Sequence, residues 1–163
     1  NLASIGYHFG SKEELLNEAL LQIFRERDAY IGQVVLEGDD GTPLGRMTQS
    51  FVAVVSVFER FRPLLVASVE AMAQAERSPE LRDQMAAYYR DARQGIAVVV
   101  REGMAGRADE MSADPEVVAS LVLAAFDGLA FQWLLDPDAT PTGEELVAGL
   151  IEWVTLALGE PSP

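Results

Sequence analysis

The stretch Ala3-Ser4-Ile5-Gly6-Tyr7-His8-Phe9-Gly10-Ser11-Lys12-Glu13-Glu14-Leu15-Leu16 reads as the tail of one short helix, a tight turn and the capped start of a second helix. Gly10 suits the left-handed stop of a helix, and Ser11 with Glu14 three residues later makes a capping box. Tyr7, His8 and Phe9 therefore stand at a helix end. His8 is the single histidine of the chain. Between two aromatics and close to Lys12 it offers hydrogen-bond donors beside a cation, which suits a phosphate oxygen; a partly buried packing histidine is the plain alternative.

Downstream of this stretch apolar residues recur at helical spacing almost throughout, with turn signals between them and no convincing alternating strand, so the fold expected is all-α. The first complete helix is predicted from Lys12 to about Val35. Leu15, Leu16, Ala19, Leu20, Ile23 and Phe24 form its apolar stripe, and Arg25, Glu26, Arg27 and Asp28 turn to solvent. Residues 37–43 are a loop by composition, acidic but without the spaced oxygen ligands and terminal bidentate Glu of a calcium loop. From about Leu44 to Arg62 the chain brings in Phe51, Val54, Val55, Phe58 and Phe61, and Pro63 suits the first turn of a new helix, so two helices meet at a sharp joint. That new helix, to Ala75, is apolar or small on almost every face and is expected to be surrounded, which singles out Ser68, Glu70 and Gln74. Glu70 either anchors a ligand in an inner pocket or pairs with an Arg on the rim; pairing is favoured because buried carboxylates are rare and usually paired.

Ser78-Pro79-Glu80 opens a long helix to about Gly103, with Gly95 in its interior marking a close helix approach, room for a ligand or a tolerated surface position. Asp114-Pro115 opens another, to about Leu135, and Thr142 with Glu145 makes a capping box for a last helix to about Leu158. Both final helices are apolar nearly all round. A pair of that kind in so small a domain is not readily enclosed by its own chain, and a homodimer in which two such hairpins form a four-helix bundle is the economical solution, with a single-chain core as the plain alternative. The interface expected comprises Val118, Leu121, Val122, Ala125, Leu129, Trp133, Leu146, Leu150, Trp153 and Val154, with Ala119, Ala124, Ala125, Gly128 and Ala148 allowing close approach.

The run from Tyr7 to Leu16 resembles the segment that joins the recognition helix to the fourth helix in TetR-family transcriptional repressors, with Gly6 where that family commonly carries a first aromatic. The Asp127-Gly128-Leu129 step inside a long apolar helix is a weaker echo of the same family. The resemblance implies a TetR-like division of the chain. Residues 1–11 would be the end of a helix-turn-helix DNA-binding domain whose front is missing, and 12–163 a helical ligand-binding and dimerisation domain with 12–35 as the connecting helix.

Twelve basic against 26 acidic side chains give the 163 residues a formal charge of −14, which taken alone argues against a nucleic-acid binder. The resemblance resolves the conflict, because the missing front would supply most DNA contacts and an acidic body would keep DNA off everything but the docking end. No cysteine is present, so no disulfide or thiolate metal site exists, in keeping with a reducing cytoplasm. No basic-then-apolar leader stands out, and the apolar run from Leu121 to Leu135 is interrupted by Asp127 and Gln132 and is too short to span a bilayer, so a soluble cytoplasmic protein with no membrane partner is expected. One His, no Cys, no metal-ligand spacing and no Gly-rich phosphate loop leave no catalytic constellation, cofactor site or metal site to propose.

The function the resemblance implies is a ligand-responsive repressor of operator DNA, in which a small apolar effector among the middle helices changes the recognition-helix spacing in the dimer. For DNA, Ala3, Ser4 and Gly6 are assigned to base edges or sugar, and Tyr7, His8 and Lys12 to phosphates. For ligand, Phe51, Phe58, Phe61, Met72, Met85, Tyr88, Tyr89 and Phe126 suggest an apolar cavity, with Glu70 and Gln74 as polar anchors, though the same aromatics at helical spacing also make plain core. The competing readings are a helical dimerisation or adaptor protein and a lipid-carrying helical protein, both without DNA function.

Overall fold

The computed structural model describes residues 12–38, 41–104 and 112–159, with side chains from residue 18 onward except at 36. Six helices and no strand lie among them: α1 Lys12–Glu37, α2 Pro43–Ser56, α3 Arg62–Ala75, α4 Pro79–Gly103, α5 Pro115–Leu135 and α6 Gly143–Leu158, with a 3₁₀ turn at Pro137–Ala139.

Local chemistry sets the helix starts. Orphan N–H groups at a helix N-terminus need acceptors, and a side-chain oxygen one residue ahead supplies one for about 1 kcal/mol. Thr42 accepts from the Gly45 N–H at 2.9 Å, Ser78 from Leu81 at 3.3 Å and Asp114 from Glu116 at 2.9 Å. At α6 the box is reciprocal: the Glu145 N–H donates to the Thr142 hydroxyl at 3.2 Å and the Thr142 N–H donates to the Glu145 carboxylate at 2.8 Å. Pro43, Pro63, Pro79 and Pro115 stand in the first turn of their helices, where a missing N–H costs nothing. Gly159 ends α6 in the left-handed region at φ 74°.

The segment expected to run to Arg62 stops at Ser56. Val57 and Phe58 bond back only to Val54 and Val55, a tightening turn. Pro63, which cannot donate and whose ring crowds the preceding carbonyls, prevents α2 and α3 from merging.

In the main core, α2 packs chiefly on α6 and α1 and more lightly on α5. Phe51 and Val54 of α2, Phe58 of the turn, Leu65 of α3, Leu129 of α5 and Val147 of α6 are buried together, and Phe51 meets Phe126 edge-on at 5.2 Å. α5 packs along α4 and α6 along α2, while α5 and α6 make little contact with each other, so the last two helices are not the tight hairpin that the sequence suggested. Gly143 fixes the α6 approach, since any Cβ there would strike the backbone of Val52 and Phe51.

Candidate ligand-binding site

A cavity of about 800 Å³ opens between α1, α2, the 57–61 turn, α3, α4 and α5. Its walls are mainly aliphatic and aromatic, within the usual size range for a site that holds a drug-sized molecule. On α1, Phe24, Arg27, Asp28, Ile31 and Val35 recur three and four residues apart and so share the inner face. The sequence reading had turned Arg27 and Asp28 to solvent. The helix is instead rotated: Leu21 and Phe24 are buried while Ala19 and Ile23 are exposed, which carries Arg27 and Asp28 inward.

These two side chains anchor a polar cluster. The Arg27 guanidinium donates to Oδ1 of Asp28 from Nε at 3.1 Å and from Nη2 at 2.8 Å, and Nη2 also reaches the Tyr88 hydroxyl at 2.8 Å. Tyr88 in turn donates to Oδ2 of Asp28 at 2.7 Å. Beside it Tyr89 donates to Oδ2 of Asp127 at 2.9 Å, joining α4 to α5. The Tyr88 ring stacks on Phe24 with centroids 5.0 Å apart and meets the Tyr89 ring edge-on at 5.5 Å.

Burial and neighbouring charge set the protonation of this cluster. Burial pushes Tyr88 and Tyr89 above the ordinary phenol range, helped by Asp28 and Asp127 respectively, so both remain neutral donors at physiological pH. Burial opposes the charge on Arg27, but Tyr88 and Asp28 outweigh it and hold the guanidinium protonated. Burial also raises Asp127 above the usual carboxylate range, against the pull of the Tyr89 hydrogen bond and of Arg27.

The residues expected at a ligand site divide by position. Phe58, Phe61, Met72, Met85, Tyr88, Tyr89 and Phe126 line the cavity. Phe51 does not; it is buried in the α2–α5–α6 core. Glu70 and Gln74 correct the sequence reading more sharply, since both are exposed and neither reaches the cavity wall. α3 is apolar all round because one side, Leu64, Leu65, Ala71 and Ala75, is core and another, Val69 and Met72, faces the open cavity. Ser68 lines the wall too, its hydroxyl satisfied by the Leu65 carbonyl at 2.7 Å. Gly95 faces the cavity with open space around it. Arg27, Asp28 and Asp127 were missed as site residues; an ion pair in register with Phe24 and Ile31, and one carboxylate within the apolar α5, were the signals present.

The dimer residues also divide. Leu121 and Trp153 are 69% and 70% exposed, and Leu150 and Val154 are exposed as well. Leu129 is buried, Ala125, Trp133 and Leu146 pack on the internal core, Val122 lines the cavity and Val118 is half-buried. The correction has a geometric cause: one helix cannot point every side chain outward, and the outward stripe of α5 runs through Val117, Leu121, Ala124 and Leu135. Of the DNA-contact residues, Ala3, Ser4, Gly6, Tyr7 and His8 lie outside the described residues, and Lys12 opens α1. No group of His, Cys, Asp and Glu among the described residues is arranged to hold a metal ion.

The model of the BetI-type transcriptional repressor C-terminal family matches residues 43–157, most of the chain and all helices from α2 onward. The chain belongs to the TetR family of transcriptional regulators. A crystal structure of a protein assigned to that family, from Rhodococcus sp., superposes with a TM-score of 0.71 at 27% identity, covering 93% of this chain and 79% of that one. No curated protein matches in sequence. TetR-family proteins are non-enzymatic, soluble regulators that bind operator DNA and act as dimers, and the all-α architecture agrees with that assignment. Membership sets aside the adaptor and lipid-carrier readings. It also bears on α5, whose 21 residues are, against the sequence reading, long and apolar enough to cross a membrane by length and composition alone.

Proposed function

We propose that this chain is the effector-sensing and dimerising part of a cytoplasmic repressor, and that a small, largely apolar molecule bound in the cavity changes the spacing of two recognition helices. The observation that carries this reading is the position of the polar cluster. Arg27 and Asp28 sit on α1, the helix that directly follows the stretch resembling a DNA-reading end, and they are bonded to Tyr88 on α4 inside the cavity. A ligand entering there meets α1 itself. Two recognition helices must enter successive major grooves about 34 to 36 Å apart, so a small rotation of α1 in each subunit spoils the match. A coupling of about 1 to 3 kcal/mol suffices to lower operator occupancy measurably.

The apolar stripe of α5 with Leu150, Trp153, Val154 and Leu156 of α6 is the surface proposed for the second copy, and its exposure in the single chain supports that reading. For DNA, Ala3, Ser4 and Gly6 are proposed near bases or sugar and Tyr7, His8 and Lys12 at phosphates.

The test is binding of the full-length protein to DNA from upstream of its own gene, titrated against salt with and without candidate apolar ligands. Tight, salt-steep binding that a ligand releases is the expected result, with Lys12→Ala weakening all sequences alike and lowering the salt slope by about one. Binding that is weak and indifferent to sequence would overturn the repressor reading.

A further inference from the structure

We infer that the cavity selects a hydrophobic monocation, a protonated amine carried on an apolar body, with Asp127 as its counter-ion. The inference rests on the cavity being the effector site and names the chemical class it takes.

Charge inside the cluster is not balanced. Arg27 and Asp28 cancel each other at 2.8 Å, and both carboxylate oxygens of Asp28 are engaged, one by Arg27 and one by Tyr88. Asp127 is different. Its Oδ2 accepts from Tyr89, no cation among the described residues lies within ion-pair distance, and Oδ1 accepts no hydrogen bond from them. A half-buried carboxylate without a cation is costly to keep ionised, and a ligand ammonium would supply both the missing charge and a donor for Oδ1.

An anionic ligand finds no equivalent welcome. Of the Arg27 donors, Nε and Nη2 are engaged by Asp28 and Tyr88 and the guanidinium charge is met by Asp28, and both tyrosine hydroxyls already donate to carboxylates. Arg46 has an interaction of its own, and the exposed part of the wall carries Arg25 together with Asp91 and Glu102. The cavity as a whole therefore leans acidic.

The surroundings of Asp127 suit a cation with an apolar body. Leu123, Ala130 and Phe131 share its face of α5, and Tyr89, a ring of the kind whose face attracts cations, is bonded to the carboxylate through its hydroxyl. Gly32 on α1 and Gly95 on α4 leave open space in the cavity wall. A volume of about 800 Å³ is far more than a bare small ammonium ion fills, and the aliphatic walls need an apolar body to cover them.

The experiment is calorimetric titration of the full-length protein with decylamine, decanol and decanoate, which share a chain and differ in charge. Decylamine is expected to bind about tenfold or more tighter than decanol, with decanoate weakest. Asp127→Asn, which keeps an oxygen to accept from Tyr89, should abolish the amine's advantage over decanol. Tyr89→Phe keeps the carboxylate and should keep the preference. Decanol or decanoate binding as tightly as the amine, or an amine preference that survives Asp127→Asn, overturns the inference while leaving the effector site intact. Binding of none of the three overturns the effector site itself. Should Asp127→Asn fail to fold, the ranking on the unmodified protein still decides.

Discussion

The Tyr88 hydroxyl donates to Oδ2 of Asp28 across 2.7 Å, and that bond ties the middle of α4 to the middle of α1. The Tyr88 ring stacks on Phe24 one turn earlier on α1, so a single side chain holds the connecting helix by both its face and its tip. Tyr88→Phe keeps the stack and removes the tip. Arg27 and Asp28 retain each other, so the expected loss is at the low end for a hydrogen bond, about 0.5 to 1.5 kcal/mol, read from urea denaturation. The larger effect is expected on signalling: ligand binds, but operator release is blunted because α1 has lost its polar tie to α4. A variant that releases DNA like the unaltered protein would remove Tyr88 from the coupling.

Asp127 gives a pH signature with a definite sign. Burial raises its folded-state pKa above the unfolded value, so folding disfavours the ionised form, and the cost grows as the pH rises above the unfolded value and is complete above the folded one. Tyr89 faces it from α4, and Arg27 and Asp28 act on it from α1. Stability owed to this group is therefore gained as pH falls through the folded pKa. Asp127→Asn, without ligand, should melt higher than the unaltered protein at neutral pH, and the gap should close as pH drops below the unfolded carboxylate value. Melting curves at several pH values check this; an equal gap at all pH values would mean that charge is not the cause.

Two glycines make opposite predictions. At Gly143 a Cβ would enter the backbone of Val52 and Phe51, and main chain cannot step aside as a side chain can. Gly143→Ala should cost about 1 to 3 kcal/mol by forcing α6 off α2. At Gly95 nothing lies within 4 Å of the added carbon, and the residue is in mid-helix. Gly95→Ala should stabilise by up to about 1 kcal/mol, and a bulkier Gly95→Leu should displace ligand from the cavity. Denaturant midpoints and ligand titration read out all three.

Helix starts were legible because capping is local: Ser78, Asp114 and Thr142 each announce a helix within three residues, and α4, α5 and α6 begin where those signals stand. Facing was less so. Apolar residues all round α3 suggested a surrounded helix, whereas Val69 and Met72 face an open cavity, and no period in the sequence separates contact with protein from contact with a ligand space. Arg27 and Asp28 were read as solvated because charged residues usually are; each satisfies the other, which lets both turn inward. Glu70 drew attention as a charge on an apolar helix, and it is exposed. The same cue on α5, Asp127, marks the cavity, and only the packing of α4 against α5 distinguishes the two.

The exposed faces of α5 and α6 lead to the last prediction. Leu121 and Trp153 are 69% and 70% exposed in the single chain, and neither belongs to the internal core. Burying one such side chain contributes about 1.5 to 3 kcal/mol, and in a two-fold interface each substitution acts twice. Leu121→Glu combined with Trp153→Glu should therefore give a folded monomer by sedimentation velocity, with helical content retained in circular dichroism. Operator affinity should collapse along with the dimer, because one subunit holds only one half-site. Leu129→Glu, in the buried core, should instead prevent folding. A doubly substituted protein that remains dimeric would place the subunit contact on another face.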